Sequence, residues 1–254
     1  MSVNITREKM MFAITWEWLS RGWRDFRQAA FLNMIYAALF LVIGLAMGGM
    51  LLHHGFSVVY FIIAGGFLIV VPGLVAVYYY LADRIHSGSR PGFADIAEGF
   101  RQCPVSIMVI GLVSLVIYLI WITDALIIYS VYFDFVPTSL SAYKADPVLR
   151  TDVLAFLLFV SILGFVLSFI TFCITVFSIP YALQKQCGLV DAVSFSVRTV
   201  SGHTRLMFFW AIVLGGLTFF TVLFALPLLL VVLPVLAYAN YATYSDMLRL
   251  MESE

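Results

Sequence analysis

The chain has 254 residues, 63% hydrophobic and 11% charged, with zero net charge at pH 7 and a mean hydropathy of +1.04. Soluble domains carry about 45–50% apolar and about 25% charged residues, so this composition excludes a water-soluble globular protein. Zero net charge argues against nucleic acid as a partner, and Cys103, Cys173 and Cys187 lack the CxxC spacing of a zinc or redox pair.

The first 28 residues mix Arg7, Lys9, Arg21, Arg24 and Arg27 with acids. They show neither the short apolar core nor the small-residue cleavage site of a signal peptide. Phe12, Trp16, Leu19, Trp23, Phe26 and Ala30 recur at spacings of four and three. On a helix they form one apolar stripe, opposite Glu17, Ser20, Arg21, Arg24, Asp25, Arg27 and Gln28. That pattern predicts a helix lying in the membrane interface, with tryptophan and arginine at headgroup depth.

Six apolar runs follow, at 29–52, 57–82, 104–132, 153–183, 205–225 and 228–248. Each reaches roughly the 20 residues that cross a hydrocarbon core. The last two divide a single run, Leu206 to Tyr244, at Pro227, because proline suits a first helical turn and not an interior. The expected fold is an all-α polytopic membrane protein, one membrane domain over 1–254. Its sizeable exposed loop, 133–152, would lie on the outer side and could serve for docking.

Lysine and arginine are distributed unevenly about these spans. The side holding both termini and the 83–103 and 184–204 loops carries twelve, and the opposite side only Lys144 and Arg150. The positive-inside rule then places both termini in the cytoplasm, in a prokaryotic plasma (inner) membrane.

A repeat runs through the cytoplasmic segments. "FADIAEGFRQCP" sets Phe93, Ile96, Ala97 and Phe100 against Asp95, Glu98, Arg101 and Gln102. "LVDAVSFSVRTVSG" sets Leu189, Val193, Val197 and Val200 against Asp191, Ser194, Arg198 and Thr199. Each amphipathic segment holds a small–apolar–arginine triplet: Gly22-Trp23-Arg24, Gly99-Phe100-Arg101 and Ser196-Val197-Arg198. Each precedes a pair of spans, the second with a proline near the cytoplasm: Pro72, Pro180 and Pro234. Three repeats are expected, at about 12–86, 92–186 and 189–249, each an interfacial helix, an outward span and a returning span kinked at proline.

The plainer reading of the arginines is attraction to anionic lipid, at roughly 1 kcal/mol per charge near the surface. The sharper one has Arg24, Arg101 and Arg198 converging on a vestibule that binds a lipid phosphate or an acidic patch of a partner, while Arg21 and Arg27 face headgroups. The four histidines, His53, His54, His86 and His203, fall at span ends, which does not suit axial ligation of haem in a bundle. Asp124 and Asn240 are the polar candidates within the spans. Asp124, about 20 residues after Pro104, should sit near the outer headgroups beside Trp121. Asn240 should bond within the bundle, to Tyr241 or Tyr244. Gly44-x-x-x-Gly48, Ala64-Gly65-Gly66 and Gly215-Gly216 read as close helix contacts. Tyr78, Tyr79, Tyr80, Tyr238, Tyr241 and Tyr244 read as an aromatic belt. No Walker loop, zinc pattern or nucleophile elbow is present.

At "GWRDF", "SIPYALQKQCGLVDAVSFSVRTV" and "VLPVLAYANYATYSDML" the chain resembles an uncharacterised prokaryotic integral-membrane family, domain of unknown function 2189. The resemblance runs from about residue 14 to 249. Some members carry a cytochrome c oxidase subunit label. Members often have histidines after the last proline, where this chain has Tyr238 and Ala242. The resemblance implies at most an accessory role in an oxidase. The expected function is therefore non-catalytic, with no cofactor or metal: an accessory or assembly subunit of a larger membrane complex, with a respiratory terminal oxidase as the complex the resemblance implies, in contact with lipids and a protein partner. The alternative is a small transporter or lipid-binding protein with a cavity formed by the three repeats.

Overall fold

A computed structural model describes residues 2–134, 136 and 147–253, with side chains described from residue 9 onward except at 147–150. Among these residues the chain is helical, without strands. In order they form α1 (Ser2–Gln28), α2 (Ala30–His53), α3 (Ser57–Leu74), α4 (Ala76–His86), α5 (Phe93–Arg101) and α6 (Val105–Phe133). Then come α7 (Pro147–Thr175), α8 (Ser178–Lys185), α9 (Leu189–Gly202), α10 (Thr204–Phe224), a short 3₁₀ turn (Leu226–Leu228) and α11 (Leu229–Glu252).

Six stretches are long and apolar enough to cross a membrane: Ala30–His53, Ser57–Leu74, Val105–Phe133, Thr151–Lys185, Thr204–Phe224 and Leu226–Glu252. They fall within a few residues of the spans expected at each point except the second, which breaks early. Pro227 sits in the 3₁₀ turn that divides the last apolar run. The loop expected at 133–152 is shorter than the hydropathy pattern implied, because α6 includes Phe133 and α7 begins at Pro147. The residues between, apart from Asp134 and Val136, lie outside the described residues, and the docking role given to the loop with them.

Breaks in a helix free backbone carbonyls that lipid cannot satisfy. Here side chains supply the missing donors. Pro180 has no N–H to offer Val176 O, and Asn240 Nδ2 donates to that oxygen at 2.8 Å. At the α3–α4 break, two residues beyond Pro72, the Tyr36 hydroxyl donates to Leu74 O at 2.8 Å. Where α1 meets α2, Asn33 Nδ2 adds a second bond, at 3.2 Å, to Phe26 O, which also accepts from Ala29 N. The Tyr60 hydroxyl donates to Val222 O near the end of α10, at 2.7 Å. Pro234, by contrast, lies inside an unbroken α11. The three prolines therefore do not mark equivalent breaks: Pro72 precedes one, Pro180 follows one and Pro234 causes none.

Two apolar clusters result. One joins α1, α2, α4, α8, α9 and α11 near the end of the bundle that carries both termini. The other, at the far end, packs Val58, Ile62 and Ile69 of α3 with Trp121, Ala125 and Tyr129 of α6 and Phe156 and Val160 of α7.

Candidate functional site

The small residue of each triplet is the one that docks. Gly22 lies so close to α11 that a Cβ would stand 2.5 Å from Val235 O and 2.6 Å from Ala239 N. Gly99 faces the Tyr80 ring of α4, 3.2 Å from an added Cβ. Ser196 is fully buried, donating to Cys173 O at 2.8 Å and accepting from Phe177 N at 3.2 Å, where α7 gives way to α8. Because successive helical residues are about 100° apart, the arginine two positions later points away. Arg24, Arg101 and Arg198 are each exposed. A small polar cavity of about 110 Å³ does lie between α4, α8 and α11, but Tyr80, Asp83, Gln102, Pro180, Leu183, Gln184 and Tyr241 line it and none of the three arginines does.

Helix α1 turns a different face inward from the one its apolar stripe suggests. Phe12, Trp16 and Trp23 of the stripe are exposed, whereas Thr15, Trp18, Gly22 and Asp25, roughly 90° round the helix, are buried. Those three residues are free for lipid, while Phe26 of the same stripe is buried and Leu19 and Ala30 pack against the core; the neighbouring face holds α11. Arg21 does not simply face headgroups. Its guanidinium pairs with Asp246 at 2.7 Å, and Trp18 Nε1 donates to the same carboxylate at 2.9 Å. Asp25, on the same helix, meets His86 Nε2 of α4 at 2.9 Å.

Behind these pairs lies a layer of buried polar side chains. Five of the six tyrosines expected as a belt form it, all but the half-buried Tyr80. Tyr78 donates to Asn33 O at 3.1 Å and Tyr238 to Asn33 Oδ1 at 2.8 Å. Tyr241 donates to Asp83 at 2.9 Å and Tyr244 to Gln184 at 2.5 Å. Asn240 bonds to neither Tyr241 nor Tyr244. It accepts from Trp210 Nε1 at 3.1 Å and donates to Tyr79 Oη at 3.0 Å as well as to Val176 O. A tyrosine at the end of a span satisfies either a headgroup or a buried carbonyl, and only the neighbouring helices decide which. Asp124 is half-buried on α6, nineteen residues beyond Val105 and so about 28 Å along the helix. Trp121 is no interface residue. It is 2% exposed, donates to Ile62 O at 3.1 Å and wedges against Gly65, Gly66 and Gly164.

Above the Asn240 layer opens a cleft of about 440 Å³. Phe61, Gly65, Leu68 and Pro72 of α3 line it, with Trp121 of α6, and Ser161, Gly164, Phe165, Ser168 and Phe169 of α7. Opposite stand Phe208, Ile212, Gly215, Gly216 and Thr218 of α10 and Leu233 and Ala237 of α11. Tyr79, Val176 and Asn240 close its end. No charged side chain lines it. Helices α7 and α10 do not pack along their length. They are bridged by Phe208 against Phe165 and Phe169, at 6.2 and 5.6 Å between ring centres. Phe165, Phe208 and Ile212 are 53%, 41% and 48% exposed, so the cleft opens sideways, toward lipid. Gly215 and Gly216 were expected at a helix contact, yet a Cβ on either would meet nothing within 4 Å. They keep the cleft open. Gly44 and Gly48 do mark close packing, against Leu226 and Tyr60.

Residues 59–184 match the family described as a predicted integral membrane protein, DUF2189. The DUF2189 match runs from α3 to α8 and so takes in the α7 wall of the cleft, but not α10 or α11. It is narrower than the resemblance expected from 14 to 249, and the "DAVSFSVR" block lies beyond it. No curated protein and no solved structure matches the chain.

Proposed function

We propose that this integral membrane protein binds a hydrophobic ligand from the lipid phase in the cleft between α3, α7 and α10, without catalysing a reaction. The observation that carries the reading is the side-opening cleft of about 440 Å³, lined by aromatic rings and glycines and free of charge. Pockets for small apolar molecules have this size and lining. The reading also takes the chain as three repeats. Support comes from the element order and from the docking of the amphipathic helices: α5 on α4, α9 on α7 and α8, and α1 on α11. Each such helix would seat on the returning limb of the preceding unit, the first on that of the last, and the cleft would lie where the units meet. With twelve basic residues on the termini-bearing side, both termini are assigned to the cytoplasm of a prokaryotic cell. A C-terminal reporter active only outside the cell should stay silent.

The accessory-subunit reading, with a protein partner and a respiratory complex, takes second place, since it draws on a family label and on no surface described above. A photoactivatable alkyl chain, supplied in the membrane, tests the leading reading. Labelling concentrated on Phe165–Phe172 and Phe208–Phe219 is expected. Even labelling around the perimeter, including the exposed face of α2, overturns it.

A further inference from the structure

Deepening that reading, on which it rests, we infer that the cleft takes a neutral, chain-bearing lipid whose head carries an oxygen acceptor, and that the Tyr79 hydroxyl donates to that oxygen. The shape argues for a chain. Lining residues run from Ser161 to Thr175 on α7, fourteen helical rises or about 21 Å, and from Phe208 to Phe219 on α10, about 16 Å. The slot is thus long in the direction of the helix axes, and a hydrocarbon chain fills it better than a compact ring does.

The head is identified by proton bookkeeping at Asn240. Trp210 Nε1 is a donor only, so the Asn240 group 3.1 Å away is the carbonyl oxygen. Val176 O is an acceptor only, so the group 2.8 Å from it is the amide nitrogen. That nitrogen also donates to Tyr79 Oη at 3.0 Å. Tyr79 is therefore an acceptor in this network, and its own hydroxyl hydrogen has no acceptor among the described residues. The side chain is 4% exposed and lines the cleft. A serine or threonine hydroxyl in the slot can turn back to its own helix carbonyl, as Thr175 does, but a tyrosine cannot reach its own. A buried phenol with a spare hydrogen calls for an acceptor. With no charged group on the walls, an ionised headgroup would have nothing to offset its desolvation. A carbonyl of an acyl ester and a carbonyl on a prenyl chain share the required chemistry.

Native mass spectrometry of the full chain in mild detergent, with added probes, tests this. The probes are a long-chain fatty acid methyl ester, a prenyl ketone, the free fatty acid and an alkane, matched in length. The ester, the ketone or both should be retained about tenfold better than alkane and fatty acid, and whichever is retained identifies the source. In Tyr79→Phe the preference over alkane should fall to within about twofold, while Gly216→Leu, which fills the slot, should lose all probes. Equal retention of carbonyl probes and alkane by the wild type, a comparison that needs no variant, overturns the inference and leaves the slot standing. Tightest retention of the ionised fatty acid overturns the inference as well. Undiminished binding by Gly216→Leu overturns both the inference and the proposed function.

Discussion

Helices α7 and α11 both end near the termini-bearing face, yet they are built on opposite plans. In the span that contains α7, 17% of the most apolar stretch is buried against protein, and in α11, 61%. α11 carries Tyr238, Asn240, Tyr241, Thr243 and Tyr244 inward, and each but Thr243 bonds to a side chain on another helix. α7 is greasy on both sides and holds its place through Phe156 and Val160 against α6 and through Gly164 against Trp121. Lipid tails are as apolar as leucine, so apolar contact alone does not drive helices together in a bilayer. Polar bonds and close approach to small residues do. α11 has both and acts as a mast. α7 has fewer and forms one wall of the cleft.

The largest test of this contrast is Asn240→Leu. It strands Trp210 Nε1 and Val176 O, and since each buried orphan costs about 1–3 kcal/mol, roughly 2–6 kcal/mol of stability in detergent should be lost. Ser161→Ala on α7 should change thermal unfolding by less than about 0.5 kcal/mol. Equal effects would erase the distinction. Next comes a pair of glycines. Gly22→Ala places a methyl against the backbone of α11 and should cost about 1–3 kcal/mol, whereas Gly216→Ala meets open space and should be neutral or gain up to about 1 kcal/mol from helix propensity. Melting curves of the two proteins should move in opposite directions or only the first should move. A smaller loss, about 0.5–1 kcal/mol, is expected for Asp246→Asn, because the Arg21 pair is partly exposed, at 22% and 31%. Smallest is a kinetic effect at the α5–α6 and α8–α9 turns. Burial pushes the Cys103 and Cys187 thiols above the ordinary range. Since thiolate is the reactive form, labelling by maleimide at pH 7 should be slower than for a free thiol and should still be rising with pH above 8.5. A plateau below that pH would show both turns to be open to solvent.

The spans were legible because crossing a hydrocarbon core demands length and hydropathy and little else. Pro227 was legible as a divider for the same reason. The face that α1 turns inward was not. Phe12, Trp16 and Trp23 announce an apolar stripe, but in lipid that stripe needs no protein partner, and the docking face follows Gly22 and Trp18 instead. The arginines misled similarly. Charge draws the eye to Arg24, while the residue with a partner, Arg21, is recognisable only once Asp246 is seen beside it. Glycine pairs are ambiguous in principle: Gly65-Gly66 receive a tryptophan and a tyrosine ring, and Gly215-Gly216 receive nothing. Small size states that space is left and not who uses it. Nor could sequence spacing bring Tyr79, Asn240 and Trp210 together, since the hydrogen bonds that join them cross 161 and 30 residues of chain.

The clasp between Trp18 and Asp246 has a consequence for manufacture. The two residues are 228 positions apart, and at roughly 5–20 residues per second the ribosome needs on the order of 10–45 s to make the second after the first. For that interval α1 has no α11 to hold, and its exposed Phe12, Trp16 and Trp23 are what can keep it at the bilayer. α11 then latches α1, so the seating of α1 has to wait until α11 has been made.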